Sequence, residues 1–232
     1  MKYSDERFNQ NTRILIPGVG PYDIPEIFGE PYEPCEFESF DKINVCKWPE
    51  DTCLHFFRDD YVFERVWRKP DYYIDKMKPF KAVMSPDFSM YIGWPTAVQI
   101  FSHYKKHYLG ALMQEAGMTV YPTINWSDER SFAWCFDGEP KNATVCVSSV
   151  GITRDKEERM AFLAGYEAMM DKLEPETILY YGNLIPGVKG NIIPIESFSK
   201  TIARRCKNVE TESATVWWAR EESKVNQKTW EI

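Results

Sequence analysis

The stretch from Lys81 to Trp126 decides the fold. It opens with KAVMSPDFSMY at 81–91, continues through a helical pattern and closes with MTVYPTINW at 118–126. The first apolar run ends in a polar cluster at Asp87 and the second in one at Asn125, and one helix length separates them. This pattern predicts a strand-helix-strand unit whose polar ends gather at one edge of a sheet.

Strands and helices also alternate outside this unit. LHFFRDD at 54–60, NATVCVSSVG at 142–151 and ETILYYGN at 176–183 are typical of buried strands, and residues 155–173 have helical spacing. A basic helix at 197–206 and a last strand in the tail are also predicted. Such alternation implies a mainly parallel sheet. We expect an α/β fold with five or six strands after residue 50, either a reduced or incomplete β/α barrel or an open doubly wound parallel sheet.

The first 50 residues differ from the rest because five prolines and three glycines interrupt the first 34 of them. Proline fixes φ and lacks a backbone donor, so neither long helices nor central strands are expected there. The prediction is a proline-rich extended arm, residues 1–50, packed on a single α/β domain, residues 51–232.

Composition narrows the classes of function. The formal charge of the 232 residues is −7, and between Asp23 and Asp60 eleven acidic residues face three basic ones. A protein that binds nucleic acid through its overall charge is expected to be basic, and this chain is acidic. No apolar run is long enough to span a membrane, so a cytoplasmic protein without a membrane partner is expected. Six cysteines without a C-x-x-C pair favour buried free thiols over zinc ligands or disulfides.

The carboxyl ends of parallel strands are where α/β folds bind ligands, so the predicted strand ends define a candidate site. Polar loops also follow strands without any function, and that interpretation stays open. The candidate catalytic residues are Asp87, Asp59 and Asp60. The candidate substrate-binding residues are Ser89, Tyr91, Asn125, Trp126, Ser148 and Asn183.

Although the net charge is negative, the sequence contains local clusters of basic residues. They could contact phosphates, although charged residues also form ordinary solvated faces. The candidate nucleic-acid contacts are Arg65, Arg68, Lys69, Arg204 and Arg205.

The motifs HFFRDDYVFE, SPDFSMY, PTINW, FDG and VSSVG together resemble an uncharacterised domain-of-unknown-function family of bacterial and phage proteins, from about His55 to Asn183. The resemblance implies a phage or mobile-element context. More distantly, the strand-end aspartate in PDFS is similar to that of queuine-type base transglycosylases. Their glycine pair and their cysteine-rich zinc site are absent from this sequence.

Three functions fit these residues. The first is a glycosidic-bond enzyme acting on a nucleobase, with DNA or a nucleotide as partner, since an oxocarbenium-like sugar needs a carboxylate and a proton donor. The second is a metal-dependent nuclease or phosphoesterase using His55 with Asp59, Asp60 and Asp87. The third is a non-catalytic phage protein that binds a host or replication partner through its acidic N-terminal region. The oligomeric state stays open.

No cofactor and no metal site are assigned from the sequence. His103 and His107 stand four residues apart on the predicted long helix, a spacing that can bind zinc. HYKKH lacks the glutamate of H-E-x-x-H, and no third ligand is evident in the sequence.

Overall fold

The computed structural model describes residues 7–8, 13–152 and 156–196. The basic helix at 197–206, the strand in the tail and the candidate contacts Arg204 and Arg205 lie outside these residues. Within the described chain, no helix has the length and apolar character needed to cross a membrane.

Two short antiparallel pairs come first. β1 (Arg7–Phe8) pairs with β2 (Arg13–Ile14), and β3 (Gly18–Val19) pairs with β4 (Ile24–Pro25). The chain then enters a set of parallel strands. Their bounds are β5 Glu36–Ser39, β6 Thr52–His55, β7 Ala82–Met84, β8 Val120–Tyr121, β9 Thr144–Ser148, β10 Thr177–Tyr181 and β11 Ile192–Ile195.

The parallel strands form two sheets whose order follows the sequence. One sheet runs β5-β6-β7-β8, and the other runs β9-β10-β11. A single parallel bridge between Thr123 and Cys146 joins the two, supported by the Cys146 N–H bond to the Pro122 carbonyl at 2.8 Å. Among the described strands β11 and β5 are not paired, so no closed barrel is found.

The described residues contain four α-helices and three short 3-10 helices. The α-helices are α1 Asp60–Arg68, α2 Pro70–Met77, α3 Thr96–Glu115 and α4 Lys156–Leu173. The 3-10 helices are Phe40–Lys42, Pro49–Asp51 and Glu129–Ala133. Lys69 separates α1 from α2 with an extended φ of −138°. A residue before proline disfavours the helical conformation, so Pro70 breaks one helix and starts the next.

Side chains of successive strand residues point to opposite faces, and both faces are buried. In β10, Ile178 and Tyr180 pack in a cluster that includes α4, while Leu179 and Tyr181 pack in an inner cluster. The inner cluster also receives Cys53 from β6 together with residues of β7, β8, β9 and β11. The strands of both sheets therefore turn one common face inward, with helices against the other.

The structure confirms the α/β class, the parallel sheets and the strand-helix-strand unit of β7, α3 and β8. Residues 1–50 contribute three buried core side chains, Ile24, Ile27 and Phe40, and the edge strand β5. The sequence did not predict β5, whose EFES segment follows closely spaced prolines. The division into an arm and a domain stays a prediction.

Candidate functional site

The ends of β6, β7 and β8 place three of the predicted side chains side by side. Asp60 follows β6, Asp87 follows β7 and Asn125 follows β8. The three strands are parallel neighbours in one sheet. Asn125 Nδ2 donates to Asp87 Oδ1 at 3.1 Å and to the Phe88 carbonyl at 2.9 Å. We call Asp60 and Asp87 the strand-end acid pair.

Asp87 is a carboxyl group held largely away from water. Burial raises its pKa to about 6 against the pull of the Lys106 charge, and the negative charge of Asp60 adds to the rise. The amide of Asn125 favours the ionised form through its hydrogen bond. A carboxyl with a pKa near 6 can hold a proton close to neutral pH and give it up during a reaction.

Asp60 is held as a hydrogen-bond acceptor by Ser89. The Ser89 hydroxyl donates to Asp60 Oδ1 at 2.8 Å, and the Ser89 backbone N–H lies 3.2 Å from Oδ2. Asp60 is also the first residue of α1, where backbone N–H groups favour a negative charge. Ser89, a predicted substrate-binding residue, is thus hydrogen-bonded to one acid of the pair.

The third predicted acid lies differently. Asp59 precedes α1, its side chain is exposed, and its backbone carbonyl accepts the Val62 N–H at 2.9 Å. None of the contacts described for the chain joins Asp59 to Asp87 or Asn125. The structure therefore brings together two of the three predicted acids.

Lys106 contacts the candidate site through Asn125, and the sequence did not predict this contact. Its side chain is only 1% exposed, on α3, and Nζ donates to the Thr123 carbonyl at 2.8 Å and to Asn125 Oδ1 at 3.1 Å. Its third bond, 2.7 Å long, goes to Glu139 Oε1. Lys106 thus connects the strand-end acid pair, through Asn125, to a second carboxylate.

Glu139 also contacts His107, whose Nε2 lies 2.9 Å from Oε1. His107 Nδ1 lies 2.9 Å from the Pro25 carbonyl, which only accepts, so Nδ1 carries a hydrogen. One further proton must then lie between Nε2 and Oε1. The charges of Lys106 and His107 hold the pKa of Glu139 below its ordinary value although burial opposes them. We call Lys106, His107 and Glu139 the Lys106 cluster.

Two residues of this cluster, together with His103, could hold a metal ion. His103, His107 and Glu139 each offer one ligand atom, and these atoms lie within 4.8 Å of one another. The residues predicted for a metal nuclease lie elsewhere. His55 stacks on Phe57 and Tyr181 inside the core, where burial lowers its pKa to about 4.

Of the two aromatic residues predicted to bind substrate, Tyr91 is exposed and Trp126 is packed against a helix. Tyr91 is 61% exposed and meets Trp94 edge to face at 4.9 Å. Trp126 instead packs against Phe162 of α4, and a Cβ added to Gly165 would fall 2.1 Å from its Nε1. Trp126 is therefore a packing residue that α4 accommodates through a glycine.

The remaining predicted residues lie at the ends of β9 and β10 and at the end of α1. Ser148 accepts the Val150 N–H at 3.1 Å, and the backbone carbonyl of exposed Asn183 accepts the Ser149 hydroxyl at 2.8 Å. Arg65, Arg68 and Lys69 are exposed at the end of α1. The Arg65 guanidinium lies 5.1 Å from the Phe40 ring centre.

Fold and strand-end geometry together define an α/β protein with a carboxyl pair at the edge of a parallel sheet. The sequence matches, over residues 16–199, the model of a family described as Domain of unknown function (DUF4417). The chain belongs to this family, which confirms the predicted kinship with a domain-of-unknown-function family.

Two phage proteins, each named Gene 1 protein, are similar to the chain. The one from Mycobacterium phage D29 is 31% identical over 217 residues, covering 93% of this chain and 78% of the relative. The one from Mycobacterium phage L5 is 32% identical over 176 residues, covering 75% and 77%. No solved structure gives a significant match. Both relatives are phage proteins, which is consistent with the expected phage context, and they do not show a likeness to base transglycosylases.

Proposed function

We propose that this protein breaks the glycosidic bond of a nucleobase in DNA, with Asp87 as proton donor and Asp60 as the stabilising carboxylate. The observation that carries the proposal is that two neighbouring carboxyl groups have unlike surroundings. Asp87 has a pKa raised to about 6, and Asp60 accepts a hydrogen bond from the Ser89 hydroxyl. Pairs of acids whose environments differ in this way are how enzymes divide acid and base roles.

The chemistry balances with water as the acceptor. The Asp87 carboxyl gives its proton to the leaving base as the bond between sugar C1′ and base nitrogen breaks. Asp60 stabilises the positive charge that develops on the sugar. Water then bonds to C1′ and returns one proton to Asp87, which restores the starting state.

The loop after β7 supports recognition of a flat ring. Tyr91 and Trp94 expose their rings four and seven residues after Asp87. Gln99 of α3 anchors the backbone of both residues, because its Nε2 donates to the Tyr91 carbonyl at 3.2 Å and to the Trp94 carbonyl at 3.0 Å. Exposed rings on an anchored loop offer a stacking surface for a base that has left the DNA stack. Asn125 uses its amide on protein partners, so its role here is to position Asp87.

The resemblance to queuine-type transglycosylases enters here as an expectation about the acceptor, which would be a second base in place of water. A reduced β/α barrel is the matching form of the fold. It is supported by seven parallel strands in sequence order and by their shared inner cluster. We expect a cytoplasmic protein acting on DNA or a nucleotide.

The test is release of free base from oligonucleotides carrying unmodified and modified bases, measured by mass spectrometry. Asp87→Asn is expected to lower the rate roughly 10²- to 10⁴-fold, the contribution typical of a general acid. Asp59→Asn serves as the matched control and should keep the wild-type rate. The wild-type rate should fall as the pH rises above about 6, where Asp87 loses its proton. Equal base release by Asp87→Asn and wild type would overturn the proposal, and EDTA-sensitive cleavage of the DNA backbone without base release would favour the metal-dependent alternative.

A further inference from the structure

His103, His107 and Glu139 form a compact set of metal-ligating side chains apart from the strand-end acid pair. The two histidines are one turn apart on α3, with ring centres 4.3 Å apart. Glu139 comes from the segment that follows the 3-10 helix at Glu129–Ala133, and its side chain is fully buried. Two nitrogens and one carboxylate oxygen within 4.8 Å are the ligand types found around zinc.

One nitrogen of each imidazole is hydrogen-bonded to a backbone carbonyl. His103 Nε2 lies 3.0 Å from the Asp137 carbonyl, and His107 Nδ1 lies 2.9 Å from the Pro25 carbonyl. Since a carbonyl only accepts, the hydrogen of each ring is on that nitrogen. His103 Nδ1 and His107 Nε2 are left as the atoms that can bind a metal. Metal-binding histidines are oriented in this way by a bond from the other ring nitrogen.

Two of the three candidate ligand atoms have no hydrogen-bond partner among the described residues although they are buried. They are His103 Nδ1 and Glu139 Oε2. His103 is 1% exposed and the Glu139 side chain 0%. An unpaired buried polar atom is unfavourable by about 1–3 kcal/mol. One cation between these two acceptors would satisfy both.

The charges around the set are compatible with a divalent ion. Glu139 binds Lys106 through Oε1, which leaves Oε2 for the ion. The carboxylate of Asp137 is a further nearby acceptor with a buried unpartnered oxygen. An ion that binds His107 Nε2 displaces the shared proton, so binding releases one proton.

We propose that His103 Nδ1, His107 Nε2 and Glu139 Oε2 form a binding site for a divalent transition-metal ion, with Zn²⁺ the best match. Two imidazoles and a carboxylate suit zinc better than magnesium or calcium, which prefer oxygen ligands. The ion would tie α3 to the segment around Glu139. It would thereby fix Lys106, which holds Asn125 against Asp87. This role is positional and does not depend on the proposed glycosidic chemistry.

The test uses the full chain without an affinity tag, grown with added zinc and then analysed for metal by mass spectrometry. About one zinc per chain is expected. His103→Gln and Glu139→Gln should each lower the zinc content by more than about tenfold, as loss of a ligand does. His55→Gln is the matched control, since His55 is the third histidine of the chain, and should keep the zinc.

A second measurement covers variants that fail to fold. Co²⁺ titrated into the metal-free wild-type protein should produce the visible absorption of a low-symmetry nitrogen and oxygen site, with release of one proton per ion. Zinc content and Co²⁺ absorption that are absent from folded wild-type protein would overturn the proposal. Zinc that stays fully bound in folded His103→Gln would overturn it as well. Neither result bears on base release by Asp87.

Discussion

The strand-end acid pair and the Lys106 cluster each contain a carboxyl group withdrawn from water, yet their pKa values move in opposite directions. Burial raises the pKa of Asp87 to about 6, whereas the pKa of Glu139 lies below its ordinary value. The difference lies in the partners. Glu139 has an ammonium group 2.7 Å away and an imidazole 2.9 Å away, while Asp87 has a neutral amide at 3.1 Å and a second carboxylate nearby. With similar burial, Asp87 is thus suited to proton transfer, whereas Glu139 is suited to a stabilising ion pair.

The largest effect is expected from removing the cation of the Lys106 cluster. Lys106→Met leaves Glu139 as a buried charge without its ammonium partner, which destabilises the fold by about 3–5 kcal/mol. The free energy of unfolding, measured by urea denaturation, gives this difference.

The neighbouring lysine is the control for that variant. Lys105 pairs with Glu64 at 3.3 Å and lies over the Phe88 ring at 3.8 Å, with more solvent access than Lys106. Lys105→Met should lower the free energy of unfolding by only about 1–2 kcal/mol. Equal losses for the two lysines would show that the Lys106 cluster is no more important to stability than a surface pair.

Asp87→Asn should have the opposite sign and stabilise the protein. The pKa of Asp87 is higher in the folded state than the ordinary 3.8, so its ionisation weakens the fold as the pH rises from 3.8 to about 6, and the loss is constant above that. Asparagine removes this loss, so above pH 6 the variant should be more stable by at most about 3 kcal/mol. Below pH 4 the two proteins should converge. Thermal unfolding across this pH range measures the difference.

Asp128 provides a control of reversed sign. Its pKa is lowered by the hydrogen bond from Arg130 at 2.6 Å, so ionised Asp128 stabilises the fold. Asp128→Asn should therefore lose stability relative to wild type as the pH rises. An Asp87→Asn protein that follows the same trend as Asp128→Asn would contradict the electrostatic account of the strand-end acid pair.

The smallest effect on stability is expected at the exposed ring of Tyr91, four residues after Asp87. Tyr91→Ala should change the free energy of unfolding by no more than about 0.5 kcal/mol, since the side chain lies at the surface. Loss of a stacking ring should weaken binding of single-stranded DNA by about 1–3 kcal/mol per base. Fluorescence anisotropy with a labelled oligonucleotide measures the change. Tyr72, an exposed tyrosine on α2, is the control, and equal weakening by Tyr72→Ala would remove Tyr91 from the binding surface.

The strand ends could be predicted because their physics is local. A buried apolar run followed by a polar cluster marks where a strand ends, and parallel pairing then brings Asp60, Asp87 and Asn125 to one edge. The final strand was harder, since IIPI contains Pro194. A proline lacks the donor that a central strand needs, and β11 accordingly lies at the edge of its sheet.

Lys106 and Glu139 could not be predicted in the same way because 33 residues separate them. Two apolar residues in the first half of α3, Ala97 and Phe101, are exposed. The face that is buried instead carries Gln99, His103 and Lys106, whose partners come from other segments. One signal was present, since Lys106 shares a helix face with Leu109 and Met113, both fully buried.

A direct measurement of the pKa of Asp87, by carbon-13 NMR of the labelled side-chain carboxyl across a pH titration, tests the central claim. We expect a midpoint near 6 that moves downward in Asp60→Asn, where the neighbouring negative charge is gone. A midpoint near the ordinary 3.8 of an aspartate, unchanged by Asp60→Asn, would contradict it and leave the strand-end acid pair without a proton donor.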